Sequence, residues 1–307
     1  MTEFLHAVAQ SGDFSGSVLA KRLRETRAKN PAAIADTLAS RSRRPLLRDD
    51  GRLLIVAADH AARGALGVGT NTMAMANRYD LLERLAIALN TPGVDGVLGT
   101  PDIIEDLALL GLLDNKIVVG SMNRGGLRGA AFEMDDRYTA YSMRSIVRGG
   151  LDFAKLLVRI CHEDPATVRT LEETARAVTE AAGERLPIML EPFRSRWVNG
   201  SIVNDLSTDA VIESIAIASA LGATSAYSWM KLPVVPNMER VMEATTLPTL
   251  LLGGDPSAVP DKVYASWENA LGLPGVHGLV VGRTLLYPRD GDVAVAVQTA
   301  ATLVHGS

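Results

Sequence analysis

The chain has 307 residues, 47% of them hydrophobic and 21% charged, which is enough material for one large hydrophobic core or two modest ones. A formal net charge of −4 and a pI near 5.8 argue against a nucleic-acid-binding surface and leave small molecules as the expected partners. The opening residues lack a basic segment followed by an apolar one, no uncharged apolar run of about 18 residues occurs, and the single cysteine, Cys161, cannot form an internal disulfide; secretion and membrane spanning are not expected, and a reducing cytoplasm is.

Residues 1–50 read as a helical arm, with helices expected over 16–28 and 32–40 and then an arginine-rich stretch at Arg41, Arg43, Arg44 and Arg48. Those arginines suit a phosphate, but a solvated face is the expected reading, and the arm is expected either to cap the lower end of the following domain or to reach a neighbouring subunit. From Leu53 onward, short apolar runs rich in β-branched residues alternate with longer amphipathic stretches. Strands are expected over 53–58, 96–99, 116–121, 153–160, 187–193, 225–232, 249–253 and 277–282, and helices over 78–89, 103–111, 138–147, 166–182, 208–221, 238–244, 260–271 and 292–303. Strict alternation with eight strands predicts an α/β fold over 51–307, a closed (β/α)8 TIM barrel more than an open doubly wound sheet. Apolar outer-helix positions at 212–217 permit a homo-oligomer but look the same as a buried core face.

In such a barrel the chemistry sits at the C-terminal ends of the strands, so the charged residues there are the ones to weigh. Lys231 closes an apolar run; burial at that place disfavours its ammonium form and makes a nucleophilic amine accessible, although a lysine at a strand end can also simply snorkel to the surface. Asp59 ends the first run, Lys155 lies inside the fourth and Glu191 ends the fifth. Each has a structural reading of its own: Asp59 as a cap, Glu191 as a partner for Arg194 or Arg196, Lys155 at the barrel rim. Two cations and two anions at corresponding places on different strands point instead to one cavity in which they satisfy each other.

Glycines supply a second signal. Gly253 and Gly254 follow the seventh run, and Gly282 with Arg283 follows the eighth, the usual phosphate-binding place in this fold. Small residues let backbone N–H groups approach phosphate oxygens, and Arg283 adds charge-assisted hydrogen bonds. The five histidines are scattered without metal-ligand spacing, His60 being a single possible ligand, so neither a metal nor another cofactor is expected. The glycines at 64, 67 and 69 lack the Lys-Ser/Thr ending of a nucleotide P-loop and read as a loop near the site.

With these residues in view the chain resembles class I, Schiff-base-forming barrel aldolases, especially the branch of tagatose-bisphosphate aldolases and related bacterial sugar-phosphate aldolases. Asp59, Lys155, Glu191 and Lys231 match that branch's order of aspartate, lysine, glutamate and Schiff-base lysine, and Gly253-Gly254 with Gly282-Arg283 match its phosphate loops. More narrowly, the chain looks like actinobacterial barrel proteins associated with inositol catabolism, which implies 5-dehydro-2-deoxy-6-phosphogluconate as a substrate. The loop from Asn123 to Gly129 departs from the pattern by offering arginines where some relatives offer a lysine, and the arm is extra. The resemblance implies that Lys231 forms an imine with a phosphorylated ketone, that Lys155 depresses the Lys231 pKa, and that Glu191 and Asp59 share the proton transfers, Asp59 at the hydroxyl whose carbon becomes the aldehyde. Two alternatives stay open: a non-covalent phosphate-binding isomerase or lyase, and a catalytically silent sugar-phosphate binder.

Overall fold

The structure is a computed structural model and describes residues 14–253 and 260–306. Two helices come first, α1 (Val18–Lys29) and α2 (Ala32–Ser40). The Ser17 hydroxyl accepts from Ala20 N at 3.2 Å and starts α1 by satisfying one of its orphan donors. Eight parallel strands then close into a ring: β1 (Leu53–Ala57), β2 (Gly96–Gly99), β3 (Ile117–Ser121), β4 (Phe153–Ile160), β5 (Ile188–Val198), β7 (Ser228–Leu232), β8 (Thr249–Leu252) and β9 (Val276–Val281), with β9 returning to β1 and β4 pairing β5. This is the (β/α)8 barrel that the alternation predicts.

Around the ring lie α3 (Arg78–Asn90), α4 (Pro101–Leu109), α5 (Met143–Arg148), α6 (Ala166–Gly183), α7 (Thr208–Ser219), α8 (Met238–Glu243), α9 (Pro260–Leu271), the short α10 (Arg283–Leu286) and α11 (Val293–His305). Two of the expected elements differ in their course. The helix expected over 138–147 begins only at Met143: Ala140 and Tyr141 donate their backbone N–H groups to Met122 and Ser121 carbonyls, so this stretch runs alongside β3, and Ser142 and Ser145 then form a reciprocal capping box. The fifth strand does not stop at Phe193 but continues to Val198 and pairs antiparallel with β6 (Ser201–Asn204). Its turn is Asn199-Gly200, both at positive φ, which is the Asn-Gly hairpin signal.

Strand alternation sorts the apolar residues into two cores. One phase of each strand, including Leu54, Val56, Val118, Leu156, Leu190, Met230 and Leu251, packs outward against the helices. The other phase fills the barrel with Leu53, Ile55, Ala57, Leu98, Ile117, Val119, Phe153, Met189, Trp229, Leu250 and Val280. Phe153 and Trp229 meet edge to face within this plug, their ring centroids 5.5 Å apart.

The segment after α2 closes the lower end. Leu46 and Leu47 pack against the interior plug, and two of the four arginines around them, Arg41 and Arg44, are not part of a solvated face. Arg41 Nη2 lies 2.6 Å from Asp152 and Arg44 Nη1 3.0 Å from Asp95, with both guanidinium side chains buried. The carboxylates immediately before β4 and β2 require these partners, since a buried anion is tolerated only when paired and hydrogen-bonded. Arg43 and Arg48 keep their exposure while reaching the same two aspartates.

Candidate active site

The inward phase that builds the plug also builds the site. Moving two residues up from Phe153, Met189 and Trp229 gives Lys155, Glu191 and Lys231, and two up from Val119 and Ala57 gives Ser121 and Asp59. Period-two geometry therefore turns all of these side chains to the barrel axis, one layer above the apolar plug. Glu191 lies inside β5 rather than ending it, because that strand runs on to the hairpin.

The four charged groups form a chain of contacts. Lys155 Nζ donates to Asp59 Oδ2 at 2.9 Å and stands 2.7 Å from Glu191 Oε2, while Lys231 Nζ stands 3.1 Å from Glu191 Oε1. Side-chain exposures of 3% for Lys155, 5% for Lys231, 9% for Glu191 and 12% for Asp59 rule out the rim and snorkelling readings. Glu191 does not serve Arg194, which pairs with Glu213 instead.

The two lysines differ electrostatically. Burial pushes the Lys231 ammonium below its ordinary value; Glu191 opposes that, and the positive charge of Lys155 adds to it. Burial acts on Lys155 in the same sense, but Asp59 and Glu191 together outweigh it and hold this lysine above its ordinary value. For Glu191, burial raises the pKa, yet the charges of Lys155 and Lys231 bring it below the usual range. Burial likewise raises Asp59, and Lys155, His60 and Lys231 overturn it to leave a carboxyl far below the usual range. The arrangement thus keeps one cation fixed and makes the other the easier to deprotonate.

These groups border a cavity of about 190 Å³ that also touches Gly253, Gly282 and Arg283, so every described residue expected at the site lies on one wall or another of it. Gly254 lies outside the described residues. Arg283 is anchored to the loop after β1, donating from Nη1 to the Gly67 carbonyl at 3.2 Å. Sequence reasoning gave no site role to Arg63, Phe193, Asn204 or Thr284, and it noted His60 and Arg124 without placing them at the cavity; all six border it. Arg63 follows the β1 strand in the single turn His60–Arg63, and Asn204 arrives on the unexpected hairpin. Neither position had a motif that would have singled it out. Among the described residues, no three His, Cys, Asp or Glu side chains are grouped to hold a metal ion.

Fold and site together define a (β/α)8 barrel with a lysine-carboxylate cluster at the C-terminal ends of its strands, and structural comparison places aldolases of the Schiff-base class among its neighbours. The Cgl0159-like family model matches residues 51–301, and the chain belongs to that family. It is 69% identical to Cgl0159 from Corynebacterium glutamicum (Brevibacterium flavum), whose crystal structure superposes with a TM-score of 0.92 over 94% of this chain and 97% of that one. An archaeal fructose-1,6-bisphosphate aldolase, solved with its catalytic lysine covalently bound to the carbinolamine intermediate of the substrate, shares 19% identity at a TM-score of 0.61, covering 89% of this chain and 100% of that one. The fructose-bisphosphate aldolase from Slackia heliotrinireducens shares 12% identity at a TM-score of 0.64, covering 83% of this chain and 81% of that one. At these identities the aldolases share the fold with this chain. No curated protein matches the sequence.

Proposed function

We propose that this protein is a class I aldolase that makes or breaks a carbon–carbon bond in a phosphorylated keto sugar or keto sugar acid through an imine on Lys231. The observation that carries the reading is the asymmetric lysine pair. Lys231 is buried, made easier to deprotonate and held 3.1 Å from one oxygen of Glu191, while Lys155 stays charged 2.7 Å from the other. The neutral Lys231 amine attacks the ketone, water leaves, and the resulting iminium draws the electrons of the breaking bond. Glu191, in contact with both ammonium groups, is the proton carrier for carbinolamine dehydration. Lys155 holds the substrate hydroxyls and keeps Lys231 from being recharged. At the other end of the cavity, Gly253, Gly282 and Arg283 take the phosphate, and Gly254 is assigned with them from the sequence alone; this remote binding energy sets the ketone against the amine.

The order Asp59, Lys155, Glu191, Lys231 favours the tagatose-bisphosphate branch as the model for the chemistry, and 5-dehydro-2-deoxy-6-phosphogluconate is the first substrate to assay. Borohydride reduction in the presence of dihydroxyacetone phosphate, read by intact mass and peptide mapping, tests the covalent step. A ligand-dependent adduct on Lys231, lost in Lys231→Ala, is the expected result. Absence of an adduct with several phosphorylated ketones would transfer the site to a non-covalent isomerase or lyase, or to a silent binder.

A further inference from the structure

When an aldol bond breaks, the substrate hydroxyl must lose its proton, and a buried site has to provide the acceptor. Both carboxylates of the cluster are already committed. Asp59 Oδ2 receives Lys155 Nζ at 2.9 Å and Ser121 Oγ at 3.4 Å, and Glu191 lies between Lys155 and Lys231. Asp59 is a poor base, because protonating it would leave the Lys155 ammonium at its Oδ2 uncompensated, and Glu191 is occupied by the dehydration step between the two lysines.

His60 is placed differently. Its ring borders the same cavity, and its Nδ1 is buried without a hydrogen-bond partner, 3.8 Å from Asp59 Oδ1. The seat for the ring is built into the barrel: a Cβ on Gly282 would fall 2.6 Å from His60 Cε1 and 2.5 Å from the Ala57 carbonyl oxygen. The Ala57 carbonyl alone already requires a glycine at the top of β9, and that glycine also leaves the space in which the His60 ring lies.

We propose that His60 accepts the hydroxyl proton in the bond-breaking step, and that Asp59 acts as a positioning residue that orients the ring and fixes Lys155. The inference rests on the Lys231 imine reading. Asp59 favours the tautomer with its proton on Nδ1, which leaves the lone pair on Nε2. Nε2 takes the hydroxyl proton, the oxygen electrons form the aldehyde C=O, and the C–C bonding pair moves into the iminium to give a neutral enamine. The imidazolium then returns its proton to the enamine carbon, the iminium re-forms and water releases the ketone. The pocket carries the same net charge throughout, since His60 becomes positive as the iminium becomes neutral.

The groups facing the ring couple this step to substrate binding. Burial first, then Arg283 and Lys231, lower the His60 pKa to about 4 against the opposing charges of Asp59 and Glu191. A phosphate on Arg283 cancels one of those cations, so the bound substrate makes its own base stronger.

The test uses the full chain and dihydroxyacetone phosphate. By microscopic reversibility the same nitrogen removes a proton from the carbon beside the imine, so exchange of that C–H for deuterium in D2O reports on His60 without the aldehyde partner. His60→Gln and His60→Ala are expected to form the borohydride-trapped Lys231 adduct to the parental extent, which is also the control for folding. Their exchange is expected to fall by about 10²–10⁴-fold, with partial recovery of His60→Ala by added imidazole. Parental exchange in both variants would overturn the assignment, as would Asp59→Asn losing exchange while His60→Gln keeps it. If the parent gives no adduct, the imine reading and the His60 role fail together; an adduct with undiminished exchange removes the His60 role alone.

Discussion

At the lower end of the barrel, Asp152 accepts from Arg41, from Arg43 and from the backbone N–H of Val118, and Asp95 accepts from the N–H of Leu54 beside Arg44 and His305. At the upper end, Asp59 and Glu191 meet chiefly two lysines, and all four side chains border a cavity. The difference is in what completes each cluster. Arginines and strand amides hold the lower carboxylates and lock the arm to the strands, with Arg41 also donating to the Lys116 and Gly150 carbonyls. Ammonium tips paired only to carboxylates keep donors and a potential lone pair facing the space where a substrate would enter. Buried charge in this barrel is structural where arginines and strand amides tie it to the backbone, and available for chemistry where it faces the cavity.

That contrast can be broken from either end. The largest effect is expected at Lys231: Lys231→Met should lower turnover by about 10⁴-fold or more and abolish the trapped adduct. Its thermal unfolding should remain near that of the parent, because Glu191 keeps Lys155 as a partner; a collapse in Tm would make the upper cluster structural as well. Asp152→Ala should do the reverse, destabilising the fold by about 3–5 kcal/mol in denaturant unfolding by stranding Arg41, while the protein that remains folded keeps the parental KM. Arg283→Ala should raise the KM for a phosphorylated substrate by roughly 10–150-fold, as loss of one or more charge-assisted hydrogen bonds of about 1.5–3 kcal/mol requires, with imine trapping at saturating ligand retained.

The smallest effect is expected at His305. Hydrogen bonding to Asp95 raises its pKa, burial opposes this, and Asp50 adds to the rise, bringing it to about 9 from an ordinary 6.5. A raised folded-state pKa gives stability that is fully present below about pH 6.5 and disappears as the pH climbs through about 9. After solvent screening the change is on the order of 1 kcal/mol, and His305→Gln should flatten the stability profile over that window. A profile unchanged by the substitution would detach the C-terminal helix from the lower ion-pair cluster.

The barrel was legible because eight apolar runs alternate with amphipathic stretches, and the cluster because ionisable residues interrupt those runs at matching places. Lys155, Glu191 and Lys231 fall on the inward phase of their strands, so the same two-residue period that marks a strand also marks the site. Arg41 and Arg44 of the arm were misread for a physical reason. Their partners, Asp95 and Asp152, stand more than 40 positions away in sequence from Arg44 and Arg41, and nothing local distinguishes an arginine bound for water from one bound for a buried carboxylate. The hairpin after β5 was announced by Asn199-Gly200, but the antiparallel partner strand, with Ser201 and Asn204 among its four residues, has too little apolar pattern to register as one.

By itself the sequence determined the order of the eight barrel strands and the four charged groups at their upper ends, because period and residue type are local properties. Tertiary structure alone decided which lysine is held above and which below its ordinary pKa, which carboxylates are occupied, and that the His60 ring lies against Gly282. Those outcomes depend on distances of about 3 Å between residues far apart in the chain, and it is at such distances, out of water, that a charge or a lone pair acquires its reactivity.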